Sequence, residues 1–468
     1  MNCGGDRMLD RTKAKENWQG KRVMVLGMAR SGIAVAQLLC RFGAVPLLND
    51  RKTEQELGET LAPLRELPCE WHLGEDAEAL LPQCDVLLIS PGVPIDSPIV
   101  LKAREMNIPV TGELEVASQL CEGTLVALTG TNGKTTTVSL LGEIYRAMGK
   151  IAYVAGNIGY PLSAAAMLSK PEDMLVAEVS SFQLETTDTF HPRVAAVLNI
   201  TEDHLNRHYT MENYAAVKRR IFARQNETDT AVLNYDDPAC RAMAEGLRAR
   251  VAWFSRTQEV PQGAFVREDK ITIRWDGAEK AVCRTDEVYI PGPHNLENAL
   301  AAAMMAYASG VPTAVIRHAL RTFKGVEHRI ELVRELDGVK WYNDSKGTNV
   351  DSTIKAVQTM RAPTVLVLGG SDKHVSFDAL AREIIASGQI KCVVLCGATA
   401  PQIESALLAA GYTAIEHAEK YPEMVALCRR LAVPGDNVLL SPACASFDQF
   451  SDYEQRGRIF KQLVNELQ

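Results

Sequence analysis

A chain of 468 residues is too long for one hydrophobic core, so roughly two to four domains are expected. Hydrophobic residues make up 46% and charged residues 23%, an ordinary soluble globular balance. A net charge of -8 argues against a nucleic-acid partner, and no apolar run approaches the roughly 20 residues that cross a bilayer. The opening twenty residues are polar with both charge signs, so no secretory leader and no membrane insertion are expected. The eleven cysteines are scattered, mostly in apolar context such as Cys40, Cys121 and Cys428, which suits free thiols in a reducing cytoplasm. Cys392 and Cys396 share one face of a strand-like run, an ordinary packing pattern.

Three alternating α/β blocks follow in chain order. The first opens with a strand over Arg22–Leu26, a turn Gly27-Met-Ala-Arg-Ser-Gly32 and a helix from Ile33 to Phe42. Strands over Val45–Leu48 and Asp85–Ile89 end at Asn49-Asp-Arg51 and Ser90-Pro-Gly92. This is a small Rossmann-like unit whose turn lacks the G-x-G-x-x-G spacing. A phosphate or nucleotide moiety fits the start of its helix better than a dinucleotide does. Asp50 can accept from a ribose or base, or serve as a cap in a solvated loop.

The second block carries the most informative stretch, Leu125-Val-Ala-Leu-Thr-Gly-Thr-Asn-Gly-Lys-Thr-Thr-Thr137. An apolar strand, a glycine loop and an amphipathic helix ending before Gly149 form an anion site. Backbone N–H groups face a phosphate, Lys134 adds a point charge and the Thr135 hydroxyl can hold Mg²⁺. The full G-x-x-x-x-G-K-[ST] pattern fails because Leu128 stands where its first glycine belongs. Strands are predicted over Met174–Val179, Val194–Asn199 and Ala231–Leu233. A short antiparallel patch is predicted between Ser255 and Pro291, and a helix from Leu296 to Ala308. The third block starts near Val326, with strands over Val339–Tyr342, Val365–Leu368, Cys392–Leu395 and Asn437–Leu440. Three of them end at Asn343-Asp-Ser-Lys346, Gly369-Gly-Ser-Asp-Lys373 and Ser441-Pro-Ala-Cys-Ala-Ser446. Ligands of parallel α/β sheets bind at the carboxyl ends of strands, so these clusters are expected to line one crevice.

Glu178 ends a mostly apolar strand beside the P-loop, where a carboxylate reaches Mg²⁺, polarises water or pairs with a charge. Glu202, Asp203 and His204 cluster after the next strand as O/N ligands, or as a satisfied loop. By helical pattern alone Lys218 is a solvated lysine. Asn295 and Asn298 lie three apart on one helix face, where two amides read an adenine edge or act as caps.

In order along the chain stand Gly130-Thr-Asn-Gly-Lys-Thr-Thr136, Gly156-Asn-Ile-Gly159, Glu178, Thr201-Glu-Asp-His204, Gly292-Pro-His-Asn-Leu-Glu-Asn298, His328-Arg329 and Asn343-Asp-Ser-Lys346. Together they resemble the Mur ligases, ATP-dependent amide ligases of peptidoglycan synthesis, over about residues 20 to 465. Ser441-Pro-Ala-Cys-Ala-Ser-Phe-Asp-Gln-Phe450, Glu454-Gln-Arg-Gly457 and the opening Val25-Leu-Gly-Met-Ala-Arg-Ser-Gly32 resemble the members that add D-glutamate. The resemblance implies an α/β fold of three domains. These are a Rossmann-like N-terminal domain (residues 1–113), a central P-loop ATPase-like domain with a mainly parallel sheet (114–325) and a Rossmann-like C-terminal domain (326–468). It implies a cytoplasmic monomer using ATP, UDP-MurNAc-L-Ala and D-glutamate through an acyl phosphate.

The same resemblance implies the site. Gly130, Asn132, Gly133, Lys134, Thr135, Thr136, Asn295, Asn298, Arg329 and Asp344 would hold ATP. Thr135, Glu178, His204 and Lys218, the last as a carbamylated lysine, would hold two Mg²⁺, with Lys134, Glu178, His204 and Lys218 catalytic. Ala29, Arg30, Ser31, Asp50, Arg51, Ser90, Asn157 and Ser180 would hold the UDP substrate. Thr348, Lys373, Ser446, Phe447 and Tyr453 would hold D-glutamate. Some members carry an acid directly after the two glycines; here Ser371 stands there and Asp372 follows. The rivals are a sister ligase, a bare P-loop ATPase and a nucleotide-sugar binding module. The Asp-Asn-Pro-Arg motif of diamino-acid ligases is absent from the sequence, and intact Lys134, Thr135, Glu178 and His204 argue against a dead ATP site.

Overall fold

The structure is a computed structural model that describes residues 16–372 and 375–468. Lys373 therefore lies outside the described residues. The chain forms two compact units. One runs to Val288 and includes Leu296–Phe323; the other takes Tyr289–Asn295 and Lys324–Gln468. Among the described residues, twenty strands build three sheets, two in the first unit and one in the second.

The first sheet holds β1 (Arg22–Leu26), β2 (Val45–Asn49), β3 (Glu70–Trp71), β4 (Val86–Ile89) and β5 (Val110–Gly112) in the order β3-β2-β1-β4-β5. All its pairs are parallel. Val23, Met24 and Val25 are fully buried because both faces of a parallel sheet are covered. The chain winds outward from β1 to β3 and returns on the other side at β4. The gap between the ends of β1 and β4 is thus the switch point where ligands of such sheets bind. The helix Arg30–Arg41 opens at this point.

The second sheet has nine strands: β6 (Thr124–Thr129), β7 (Ala152–Gly156), β8 (Met174–Glu178), β9 (Val194–Val197), β10 (Thr230–Asn234), β11 (Arg250–Ser255), β12 (Gly263–Arg267), β13 (Lys270–Trp275) and β14 (Ala278–Arg284). Their order is β14-β13-β12-β11-β10-β9-β6-β8-β7. The sheet is parallel from β7 to β12 and antiparallel across β13 and β14, which is the patch expected before Pro291. Asp276 and Gly277 between β13 and β14 both take positive φ, 52° and 75°, as a two-residue hairpin turn requires. The neighbours of β6 are β8 and β9, so the loop after β6 is flanked by the ends of both.

The third sheet runs β15 (Glu331–Leu336), β16 (Val339–Asn343), β20 (Asn437–Leu440), β17 (Thr364–Leu368), β18 (Ile390–Leu395) and β19 (Ile415–His417). It is parallel apart from the edge strand β15. The sequence reading starts this sheet at Val339 and misses β15, whose charged, half-exposed residues show no apolar alternation. The helix Pro293–Ala308 begins before the expected Leu296, because a proline is tolerated in a first helical turn.

One buried carboxylate ties helix to sheet in the first unit. Glu115, in the helix Glu113–Leu120, accepts the backbone N–H groups of Asp188, Thr189 and Phe190 at 3.0, 2.8 and 3.1 Å. It thereby fixes the approach of the chain to β9. Glu115→Ala strands these donors and should cost about 2 kcal/mol or more. Urea unfolding checks this; an unchanged midpoint would refute the anchoring role.

Candidate active site

The loop after β6 is shaped by two glycines. Gly130 and Gly133 take φ of 152° and 83°, and a Cβ on Gly133 would lie 2.2 Å from Asn298 Oδ1. The helix Lys134–Ala147 starts here, so its first N–H groups and positive dipole end face the loop. Lys134 Nζ donates to the carbonyls of Gly130 and Thr131 at 3.0 and 2.8 Å. Asn199, just past β9, clamps the loop from one side. Its Oδ1 accepts from Asn132 N at 2.8 Å and its Nδ2 donates to Asn132 O at 3.1 Å. Thr131 Oγ1 donates to the Thr201 carbonyl at 3.1 Å and accepts from its N–H at 3.0 Å. Sequence reading missed Asn199, because a strand-end asparagine looks like any turn residue.

From the other side β8 delivers Glu178, only 3% exposed. Its Oε2 accepts from Thr135 Oγ1 at 2.9 Å and its Oε1 from Asn157 Nδ2 at 2.9 Å. A hydroxyl and a carboxylate touching at the first turn of a P-loop helix are hard oxygen donors of the kind Mg²⁺ takes. Asn157 follows β7, and Thr136 lies in the first turn of the helix with its Oγ1 buried and without a hydrogen-bond partner.

Lys218 overturns the helical pattern. It lies in the helix Met211–Arg219 yet is 2% exposed, with Nζ 2.9 Å from Gly130 O and 3.2 Å from Thr129 Oγ1. Burial pushes its pKa well below the ordinary lysine value, and the charge of Lys134 pushes the same way, against Asp203 and Glu178. His204 takes a φ of 54°; its N–H donates to Asp203 Oδ1 at 2.9 Å and its ring centroid is 4.8 Å from that of Phe182.

At the switch point of the first sheet, Ala29 caps the helix that Arg30 and Ser31 open. Asp50 Oδ2 accepts from Met28 N at 2.7 Å and Oδ1 from Lys52 N at 2.9 Å, so this carboxylate shapes the turn itself. Arg51 is exposed beside it. Ser90 Oγ donates to Leu26 O at 2.9 Å, bringing the ends of β1 and β4 together. Ser180 caps the short helix Ser181–Leu184 through Gln183.

In the second unit Asp344 follows β16 and is 3% exposed. Its Oδ2 accepts from Ser441 Oγ at 2.6 Å. Burial pushes its pKa up to about 6, against the pull of Arg329. Arg329 Nε is buried without a hydrogen-bond partner. His294 is held neutral, its pKa pushed down to about 3 by burial and then by Arg329 and Lys355. Asn295 Nδ2 donates to Pro291 O at 2.7 Å. Asn295 belongs to this unit and Asn298 to the first.

Of the residues expected around D-glutamate, Ser446 is buried and Phe447 is 73% exposed. Thr348 N donates to Lys346 O at 2.9 Å, and the Tyr453 carbonyl accepts from Ser345 Oγ at 2.8 Å. Arg456, given no role from sequence, staples the two strand-end clusters. It is 1% exposed and donates to Ser345 Oγ and O at 3.0 and 2.8 Å, to Ala445 O at 3.1 Å and to Cys444 O at 3.1 Å. Glu327 and Glu331, which share a cluster with His328, both accept from Lys461 Nζ, at 2.7 and 2.8 Å.

A P-loop whose helix hydroxyl meets a strand-end carboxylate, set in one of three α/β domains, defines a nucleotide-using enzyme. Family models match at residues 21–112 (Mur ligase MurD-like, N-terminal domain), 128–306 (Mur ligase middle domain) and 328–444 (Mur ligase, glutamate ligase domain). The chain belongs to the Mur ligase family. It is similar to the UDP-N-acetylmuramoylalanine–D-glutamate ligase of Caldanaerobacter subterraneus subsp. tengcongensis, at 46% identity over 449 residues, which are 96% of this chain and 98% of that one. The protein of the same description from Pelotomaculum thermopropionicum is 47% identical over 448 residues, 96% and 98% of the two chains. Solved structures carry the fold alone. UDP-N-acetylmuramate-alanine ligase from Thermotoga maritima superposes with a TM-score of 0.60 at 18% identity, over 95% of this chain and 99% of that one. UDP-N-acetylmuramoylalanyl-D-glutamyl-2,6-diaminopimelate–D-alanyl-D-alanyl ligase from Acinetobacter baumannii gives 0.61 at 16%, over 97% and 98%.

The raised pKa of Asp344 fixes a sign. Its folded value near 6 lies above the ordinary value of about 3.9, so folding takes up a proton between those pH values. Stability supplied by the protonated form is complete below about pH 4 and is lost as pH rises through 6. Asp344→Asn should flatten this slope and be the more stable protein at pH 7.5, as read from denaturant midpoints across pH. A parallel pH dependence in both proteins would contradict it.

Proposed function

We propose that the chain joins D-glutamate to the alanyl carboxyl of UDP-MurNAc-L-Ala with hydrolysis of ATP to ADP and phosphate, in peptidoglycan precursor synthesis. The observation that carries this reading is the 46% identity to D-glutamate ligases across 96% of the chain. The geometry supports each part. Gly130, Asn132, Gly133, Lys134, Thr135 and Thr136 would receive the ATP phosphates, with backbone N–H groups and one ammonium meeting their charge. Asn295, Asn298, Arg329 and Asp344 would hold the base and ribose; an ionised Asp344 accepts from sugar hydroxyls, and the spare Arg329 Nε–H is a donor in need of an acceptor.

Thr135 and Glu178 would hold one Mg²⁺, and His204 with a carbamylated Lys218 a second. Bound there, Mg²⁺ supplies neutralisation of phosphate and carboxylate oxygens that otherwise repel. Carbamylation fits the Lys218 environment. A neutral amine adds to CO₂ and releases one proton. The carbamate nitrogen keeps one N–H for Gly130 O, and Thr129 Oγ1 can turn to donate to the new oxygens.

The substrate carboxylate takes the γ-phosphoryl group and ADP leaves. The D-glutamate amine attacks the acyl phosphate, loses a proton, and phosphate departs as the amide forms. Ala29, Arg30, Ser31, Asp50, Arg51, Ser90, Asn157 and Ser180 would hold the UDP-sugar. Thr348, Lys373, Ser446, Phe447 and Tyr453 would hold D-glutamate. We assign these roles to domains over 1–113, 114–325 and 326–468 of a monomer working in the cytoplasm. Among the described residues no helix is long and apolar enough to cross a membrane.

Phosphate release from ATP and Mg²⁺ with UDP-MurNAc-L-Ala tests the reading, offering D-glutamate, L-glutamate, L-alanine and a diamino acid in turn. Release only with D-glutamate, giving a product heavier by one glutamyl residue, is expected. Release with another acceptor moves the chain to a sister activity, and release with none makes it a bare ATPase. Lys134→Ala should abolish turnover in a protein that still folds. Lys218→Ala should lose activity and regain part of it with added short carboxylic acids, which replace the carbamate. A fully active Lys218→Ala would refute that role.

A further inference from the structure

The turn that follows His204 is held in an unusual way. Leu205–His208 is a single helical turn between two non-glycine residues of positive φ, His204 at 54° and Tyr209 at 68°. L-residues avoid this backbone region, so surrounding contacts must hold it. Arg207 provides several of them, and His208 adds a bond to Ser181 Oγ at 3.0 Å. Arg207 Nη2 donates to Val93 O at 3.0 Å and to Glu185 Oε2 at 2.5 Å, and its Nη1 to Pro91 O at 3.4 Å. The guanidinium lies 4.7 Å from the centroid of the Phe182 ring, whose own centroid is 4.8 Å from that of His204. The Arg207 side chain is 14% exposed and that of Glu185 is 3% exposed. Tyr209 adds a second tie, its hydroxyl donating to Asp96 Oδ2 at 2.6 Å.

These contacts join two elements far apart in sequence. Pro91 and Val93 follow Ser90 at the end of β4, at the switch point of the first sheet, and bracket Gly92. Their carbonyls are backbone acceptors, so they cannot move away from Arg207 without moving the loop itself. Glu185 is the anchor on the other side. Burial pushes its carboxyl pKa up while Arg207 holds it down, so the pair is a buried charged contact in which neither partner is dispensable.

We propose that Arg207 is a positioning residue for the ligase reaction, locking the Ser90–Val93 loop to the turn that carries His204 so that the UDP end and the reacting carboxyl end of one substrate are held in register. This rests on the functional reading above, in which Ser90 meets the UDP part and His204 serves the reacting end. The planar guanidinium reaches two carbonyls and a carboxylate through Nη1 and Nη2, with Nε buried and unpartnered; a shorter side chain ending in a point charge does not reproduce that spread.

Wild type, Arg207→Gln and Arg207→Lys are compared in three measurements. These are melting temperature, calorimetric binding of UDP-MurNAc-L-Ala without ATP, D-glutamate or Mg²⁺, and steady-state constants. Arg207→Gln should weaken UDP-MurNAc-L-Ala binding and lower kcat/KM for that substrate by roughly ten- to a hundredfold, because the misplacement is felt at the reacting end. The KM for ATP should be unchanged. Arg207→Lys should regain the wild-type melting temperature without regaining the binding. Wild-type binding in folded Arg207→Gln, or rescue of binding and melting together by lysine, would overturn the proposal. Should Arg207→Gln not fold, Arg207→Lys decides alone by the same readings. A wild-type protein that binds UDP-MurNAc-L-Ala but shows no D-glutamate-dependent phosphate release would fault the functional reading and leave the role of Arg207 standing.

Discussion

One carbonyl oxygen, that of Gly130, receives two lysine side chains, Lys134 Nζ at 3.0 Å and Lys218 Nζ at 2.9 Å. Two full positive charges cannot share so small an acceptor inside the protein without strong repulsion. Lys134 stands at a helix start and is half-buried; Lys218 is fully buried, and that burial pushes its pKa well below the ordinary lysine value. The asymmetry assigns different chemistry to two identical side chains. This fits the roles proposed above, a phosphate contact for Lys134 and a carbamate for Lys218. The loop is held on either side of β6, by Glu178 at the end of β8 and by Asn199 beyond β9.

The second unit solves a related problem by another route. Arg456 supplies four donor contacts from a single buried guanidinium, joining residues 345 and 444–445. A charge so placed survives burial because its N–H groups are satisfied. Burial works against both charges here, pushing the Arg456 pKa down and that of the neighbouring Asp344 up to about 6.

Much of this was legible in the sequence, and the legible part has a pattern. The P-loop, Glu178, the three parallel sheets and their strand-end clusters show because apolar runs meet glycine or acid at fixed places. The antiparallel patch showed through its alternation and its Asp-Gly turn. What stayed hidden depends on contacts between distant segments. The burial of Lys218 is set by Tyr214, β6 and the loop above it, none of which a helical period reveals. Asn199 and Arg456 are ordinary polar residues until two strand ends meet. β15 was missed because an edge strand open to water need not alternate. The family resemblance, carried by ordered motifs, points to Lys218 where its local pattern reads as solvated, and the structure buries that side chain.

The approach of Gly133 to Asn298 has a consequence for how such chains diverge. With Asn298 Oδ1 2.2 Å from where a Cβ would stand, and accepting from Thr137 Oγ1 at 3.2 Å, the glycine and the amide form a lock and its keeper. Gly133 cannot gain a side chain while Asn298 stands there, and its φ of 83° disfavours one in any case. The dependence runs one way, because Thr137 Oγ1 keeps the Gly133 carbonyl at 2.9 Å whatever stands at 298. A substitution at 133 therefore calls for one at 298, although 165 positions separate them along the chain.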